Sequence, residues 1–460
     1  MPQNPIHAQP PLEFVPPNLQ MGVVRTVGAL IPTALKLSTS IVEVTADHAE
    51  RLAELYRDFE DRKVRFLIAF RHPSTQDPLT IWYLLSRLVP QAARDKGISL
   101  RTTPHTYFLY DRGVPIWAGP AVAWLLPRAG GISVQRGKLD RASLKATRDK
   151  YANGEQPMAV APEGATNGLN EVVSPLEPGV AQLSFWCLDD LREKNRTERV
   201  VIVPLGLQYR YIDPPWAGID RVLGTLEQEC GLTTDAGADR YARLTRIGES
   251  LLGVLEEYYH RFYQQDPPEP AADLSGRLHN LLEMALRTSE QYFNIQAKGS
   301  ITDRCRRIEQ AGWDRIYRED LKGQSLTGIQ RGLADRAAEE ADRRMWHMRI
   351  VEGFVAVSGS YVRDNPSADR YAETVNLLYK TVERLKGSPL FLPPALGKQR
   401  AHMTVSEPIL VDELYPAYAA SRQGARQAVT DLTAHLQAAM DAMTRVGSAS
   451  AASGEAAVLQ

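Results

Sequence analysis

The chain has 460 residues, 43% hydrophobic and 24% charged, with a formal net charge of −1. These proportions fit a globular protein with room for a large core, and the near-neutral balance gives no global basic field of the kind that holds nucleic acid, so none is expected as a partner. Cys187, Cys230 and Cys305 are scattered, and the nine histidines form no HxxxH pair; neither a disulfide framework nor a metal site is expected.

Met1 to Asn18 is rich in Pro and Gln, lacks the order of a signal peptide, and is expected to be disordered. Leu19–Leu37 is mildly apolar, carries Arg25 and Lys36 and is broken at Pro32; it suits a membrane surface or simple packing on the domain. A helix is predicted over Ala46–Phe59, capped by Thr45, with Leu52, Leu55 and Tyr56 on one face. Strands are then predicted at Val64–Phe70, Thr106–Tyr110, Ile132–Gln135, Met158–Ala161 and Val200–Gln208. Helices fall between them near Leu79–Val89, Ala118–Leu126, Leu139–Tyr151 and Val180–Lys194. The alternation predicts an α/β fold, a mostly parallel or mixed sheet with helices on both faces. No apolar run reaches the roughly 18–20 residues that span a bilayer. The best candidate, Val114–Leu126, is interrupted by Pro115, Gly119 and Pro120, so any membrane contact is expected to be peripheral.

From Asp213 to Lys398 the pattern is helical and densely charged, with helices predicted at Tyr241–Tyr263, Leu274–Asn294, Leu326–Val362 and Ser367–Lys386. A strand pattern returns at His402–Val411, followed by a helix over Tyr415–Val446 and an Ala/Ser-rich tail, Gly447–Gln460, expected to be disordered. A lone strand is unstable, so this one is predicted to rejoin the first sheet. The α/β domain is then discontinuous, residues 19–212 plus 399–446, and residues 213–398 form a large all-helical insertion.

The chemistry concentrates in Arg71-His72-Pro73-Ser74-Thr75-Gln76-Asp77-Pro78, between a strand and a helix. On one continuous helix, residues five apart point about 140° away from each other. Pro78 suits the first helical position, which makes Asp77 an N-cap and leaves the preceding segment free to turn His72 back toward the carboxylate. A histidine held by an aspartate is a general-base arrangement. Ser74 is read as a turn residue, not a nucleophile.

Three later stretches follow in order: Gly130-Gly131-Ile132-Ser133-Val134-Gln135-Arg136, Val160-Ala161-Pro162-Glu163-Gly164-Ala165-Thr166-Asn167, and Val200-Val201-Ile202-Val203-Pro204-Leu205. With His72 and Asp77 they resemble the four ordered motifs of the PlsC-like glycerolipid acyltransferases, from HxxxxD to the Val-Pro strand, over roughly Arg65 to Tyr209. His402–Ile409 is similar to that family's Glu-Pro-Ile strand. The resemblance implies transfer of a fatty acyl group from an acyl-CoA or acyl-carrier-protein thioester to a hydroxyl of a glycerol-phosphate or lysophospholipid acceptor. It implies no cofactor and no metal, and a peripheral position on the cytoplasmic face of the membrane. His72 would be the base and Asp77 its orienting acid. Arg136 would hold phosphate, Glu163 would bond the acceptor or orient Arg136, and Gly164 would let backbone approach substrate. Backbone N–H groups of the His72–Asp77 turn are the expected oxyanion donors.

The chain departs from the family at Ala165-Thr166-Asn167, where Thr-Arg-Ser is usual, and at Ala161, where an aromatic residue stands. Either the acceptor is less highly charged, such as a lysophospholipid, or another cation, Lys138 or Arg141, replaces the lost arginine. The insertion could roof an acyl channel, bind a membrane or dock a partner. Its basic clusters are Arg304–Arg307 and Arg343–Arg349; the second suits a lipid surface or a charged helix face beside a packed core. Two alternatives remain: a catalytically silent lipid-binding or scaffold protein of this fold, and a thioester hydrolase.

Overall fold

The computed structural model describes residues 6–135, 140–235, 237–271, 273–323, 326–354, 359–388 and 392–456, with side chains as far as residue 444. The chain divides into two compact units. One contains Phe14–Gln135, Asp140–Ile212 and the chain from Lys398 onward; the other contains residues 6–13 and Asp213–Gly397.

The first unit holds a single eight-stranded sheet. Its strands are β1 (Ile41–Asp47), β2 (Val64–Phe70), β3 (Tyr107–Asp111), β4 (Gly131–Val134), β5 (Met158–Val160), β6 (Arg199–Tyr211), β7 (Gln399–Val405) and β8 (Ile409–Leu410). The order is β1-β7-β6-β2-β5-β3-β4, with β8 also on β6. All pairs are parallel except β6–β7 and β6–β8. The fold is therefore α/β with a mostly parallel, mixed sheet. It is discontinuous, because β7 enters between β1 and β6 only after the helical block.

β2 shows why the sheet is covered on both faces. Phe66 and Ile68 enter one core with residues of α1 (Met21–Ser38), α2 (Ala49–Glu60), α3 (Asp77–Tyr83) and α4 (Val89–Asp95). Leu67 and Ala69, one residue out of phase, enter a second core. That core includes α7 (Arg141–Asn153), α8 (Gly179–Glu193) and the C-terminal helix Arg422–Ala456; before α7 come α5 (Val114–Ala118) and α6 (Pro120–Arg128). Among the described residues no helix is long and apolar enough to cross a membrane.

Several expectations change. Ile41–Asp47 is a strand, not the approach to a helix at Ala46; its β-branched residues pair with β7, and α2 starts only after His48, whose φ is 62°. Pro32 stays inside α1, which buries Val24, Gly28, Ile31 and Leu35 on one face. The helix expected to end at Val89 runs on through a π-helical turn at Leu84–Leu88 into α4, and Pro90 falls in that helix's first turn. The late strand is two, split at Ser406-Glu407-Pro408. Residues 6–18 are ordered. Ala8 is fully buried, Gln9 donates its N–H to the Ile316 carbonyl at 2.7 Å, and Val15 donates to Ser133 Oγ at 2.9 Å. Composition alone hid this, because prolines that discourage helix also suit an extended arm. The C-terminal helix continues past Val446, where it was expected to stop.

In the helical unit Arg304 of the first basic cluster and the arginines of the second pair with carboxylates of the same unit. Arg304 is buried against Glu290 and Glu283 at 2.7 and 2.6 Å. Arg343, Arg344 and Arg349 pair with Glu339, Glu340 and Asp342, while Met345, His347 and Met348 are buried. Arg343–Arg349 is thus a charged helix face beside a packed core. Burial pulls His347 down to about 4, with nearby Arg344 adding to the effect, and its Nδ1 lies 3.0 Å from the Tyr259 hydroxyl. An imidazole held below its unfolded value of ~6.5 contributes stability that is full above that pH and lost as pH falls toward 4, on the order of 3 kcal/mol at the limit. Denaturant titrations at pH 7 and 4.5 should show a smaller acid loss in His347→Gln than in the wild type.

Candidate functional site

β2 ends at Phe70, paired with Leu205 of β6, and Arg71 donates its N–H to the Leu205 carbonyl at 3.0 Å. The chain then leaves the sheet and turns into α3. His72 and Asp77 meet across this turn: His72 Nδ1 lies 2.7 Å from Asp77 Oδ2. Asp77 is the first helical residue and not the cap, and its carboxylate reaches backward to accept the Ser74 N–H at 3.1 Å. The other oxygen, Oδ1, accepts the Tyr209 hydroxyl at 2.5 Å. Burial pushes the Asp77 carboxyl up from the ordinary carboxylate range; the His72, Tyr209 and Ser74 donors oppose the rise. Three donors converging on one buried carboxylate favour its charged form.

With Nδ1–H committed to Asp77, the lone pair of His72 sits on Nε2, which has no partner among the described residues. The His72 side chain is 24% exposed while that of Asp77 is fully buried. One end of the pair is locked and the other open to a reactant.

Tyr209 was not anticipated. β6 has 13 residues and overhangs the end of β2 by six, so Tyr209 stands beneath the His72–Asp77 turn. Burial raises its phenol well above the usual range, which keeps it an O–H donor. Asn170 clamps its backbone, accepting the Tyr209 N–H and donating to its carbonyl, each at 2.7 Å. Tyr209→Phe is expected to lower kcat roughly 10–100-fold, the value of one hydrogen bond to a charged group. With that donor gone, Asp77 holds the imidazolium more tightly, so the acid limb of the kcat/KM pH profile should move upward with KM little changed. A packing role alone would leave that limb in place.

Glu163 follows β5 and is fully buried, and its carboxylate is used internally. Oε1 accepts the His72 N–H at 2.9 Å and faces Arg71 Nε at 3.6 Å. Oε2 accepts the Ser174 N–H at 2.9 Å and the Asn167 amide at 3.2 Å. Both carboxylate oxygens are thus engaged by the turn and the loop after β5, while Arg136, the other partner expected of Glu163, lies outside the described residues. Arg71, also buried, donates to the carbonyls of Asn170, Leu169 and Val172, binding the loop after β5 to the end of β2. Asn167, read from sequence only as part of the departure from Thr-Arg-Ser, secures the same loop. Gly164 has φ 74°, a left-handed backbone that glycine adopts without strain.

Arg136 and Lys138 lie outside the described residues. Arg141 is exposed at the start of α7, and no described bond joins it to His72 or Asp77. The expected oxyanion donors are largely committed: His72 N–H to Glu163, Ser74 N–H to Asp77 and Gln76 N–H to Ser74 Oγ. Among the described residues the Thr75 N–H is the one in this turn without a partner. No group of three or more His, Cys, Asp or Glu side chains among the described residues is placed to hold a metal ion.

Compared with protein-family models, curated proteins and solved structures, the chain matches none. What the site can do is set by its geometry: a partly exposed imidazole, its tautomer fixed by a buried acid, at the carboxyl ends of parallel strands where α/β sites gather.

Proposed function

We propose that the protein is an acyltransferase that moves a fatty acyl group from an acyl-CoA or acyl-carrier-protein thioester to a hydroxyl of a glycerol-phosphate or lysophospholipid acceptor. We place it as a peripheral protein on the cytoplasmic face of the membrane. The observation that carries the reading is the His72–Asp77–Tyr209 chain with His72 Nε2 left open. An alcohol is a poor nucleophile at neutral pH and needs a base as it attacks. Nε2 takes the hydroxyl proton while the oxygen adds to the thioester carbonyl. Asp77 stabilises the imidazolium that forms. Collapse of the tetrahedral adduct breaks the C–S bond, and the imidazolium returns its proton to the departing thiolate. The products are an ester and a free thiol, with no acyl-enzyme. The four ordered motifs support the same chemistry. The internal use of both Glu163 oxygens favours an acceptor whose hydroxyl does not depend on that carboxylate.

The test is purified protein with acyl-CoA or acyl-carrier protein and a panel of glycerol phosphate, lysophosphatidic acid and lysophospholipids, following both thiol release and acylated product. Transfer to one acceptor class supports the reading. Thiol release without acylated product assigns a hydrolase, and neither, with lipid binding retained, assigns a silent binding protein.

A further inference from the structure

α5 and α6 form a short apolar hairpin that packing does not explain. α5 buries none of its five residues. Ile116, Trp117 and Trp124 are 55%, 72% and 53% exposed. Of the seven tryptophans in the chain, these two alone are exposed. Exposed tryptophan is costly in water but favoured where a bilayer meets water, because the ring is apolar and its N–H is polar.

The hairpin is also pinned. Pro115, Pro120 and Pro127 fix the backbone, Gly119 makes the break with φ 86°, and the Asn18 and Gln20 N–H groups bond the carbonyls of Pro127 and Arg128. A pre-organised apolar surface loses less entropy on docking than a floppy one.

Charge selects the occupant. Gly113–Gln135 contains no acidic residue, and the Arg128 guanidinium lies 4.5 Å over the Trp124 ring. Phe14–Val42, which enters α1 from the bonds to Pro127 and Arg128, is also free of acidic residues and exposes Arg25, Leu30, Lys36 and Leu37. Apolar residues mixed with cations alone match an anionic lipid surface.

We infer that the α5–α6 hairpin docks the protein on an anionic lipid bilayer, with Trp117 and Trp124 seated at headgroup level. The hairpin follows the carboxyl end of β3, the same edge of the parallel strands from which His72 and Glu163 emerge after β2 and β5. That placement would present a lipid acceptor to His72; this last step rests on the acyl-transfer reading, whereas the surface itself does not.

The test is co-sedimentation of the full chain with vesicles of phosphatidylglycerol and phosphatidylcholine, against pure phosphatidylcholine, for wild type and Trp117→Ala/Trp124→Ala. Circular dichroism checks that the variant is folded. Wild type should bind the anionic vesicles more tightly and less so at high salt, and the variant should bind on the order of tenfold more weakly. Equal binding by a folded variant, or no binding by wild type, overturns the inference. So does a result in which the variant loses only self-association, since the hairpin would then face a second copy. Tryptophan-dependent vesicle binding by a protein that transfers no acyl group upholds the surface and removes the catalytic reading.

Discussion

His72→Ala and His72→Asn are each expected to lower kcat for acyl transfer by roughly 10²–10⁴-fold, the usual worth of a positioned general base. Both should stay folded, because the His72 side chain is partly exposed and contributes one side-chain hydrogen bond, to Asp77. The asparagine variant can still offer an N–H to the carboxylate, so it separates loss of the base from disturbance of Asp77. Single-turnover measurement of acylated product, with urea unfolding of the same preparations, gives both readings. A variant within about threefold of wild type would sink the assignment, since the residual rate from binding and electrostatics alone cannot replace a missing base.

How much of this was legible in the sequence depended on whether the signal was local. The His72–Asp77 pairing was readable because one turn makes it: Pro78 lies in the helix's first turn and the preceding residues can fold back. The return of the late strand followed from the instability of a lone strand, and β7 does lie beside β6. β1 was lost because Thr45 looks like a helix cap in isolation, while its strand identity depends on a partner more than 350 residues away, Thr45 pairing with His402. Tyr209 and Asn170 had no local signal, since neither pattern nor spacing reveals that β6 outruns β2. Asn167 was noticed only as part of the departure from Thr-Arg-Ser, although its amide bonds Glu163, the Val172 carbonyl and Ser174 Oγ. Charge on Glu163 was visible from the sequence; its burial was not.

That burial sets the second large expectation. Glu163→Ala should destabilise the sheet-bearing unit by about 3–5 kcal/mol, because it leaves the Arg71 guanidinium buried without its counter-charge. It also removes the acceptor of three other donors: the His72 N–H, the Ser174 N–H and the Asn167 amide. The loop after β5 would loosen, and His72 would lose the bond that sets its backbone. Glu163→Gln should fall between wild type and alanine. Its oxygen can serve one side of the site, but its NH₂ must then face donors on the other. The measurements are urea unfolding and the split between kcat and KM. A group touching acceptor would raise KM and leave stability alone. A group that holds Arg71, His72 and the loop together lowers stability and kcat first. Unchanged stability in Glu163→Ala with a raised KM would return Glu163 to the substrate and leave Arg71 without an explanation for its burial.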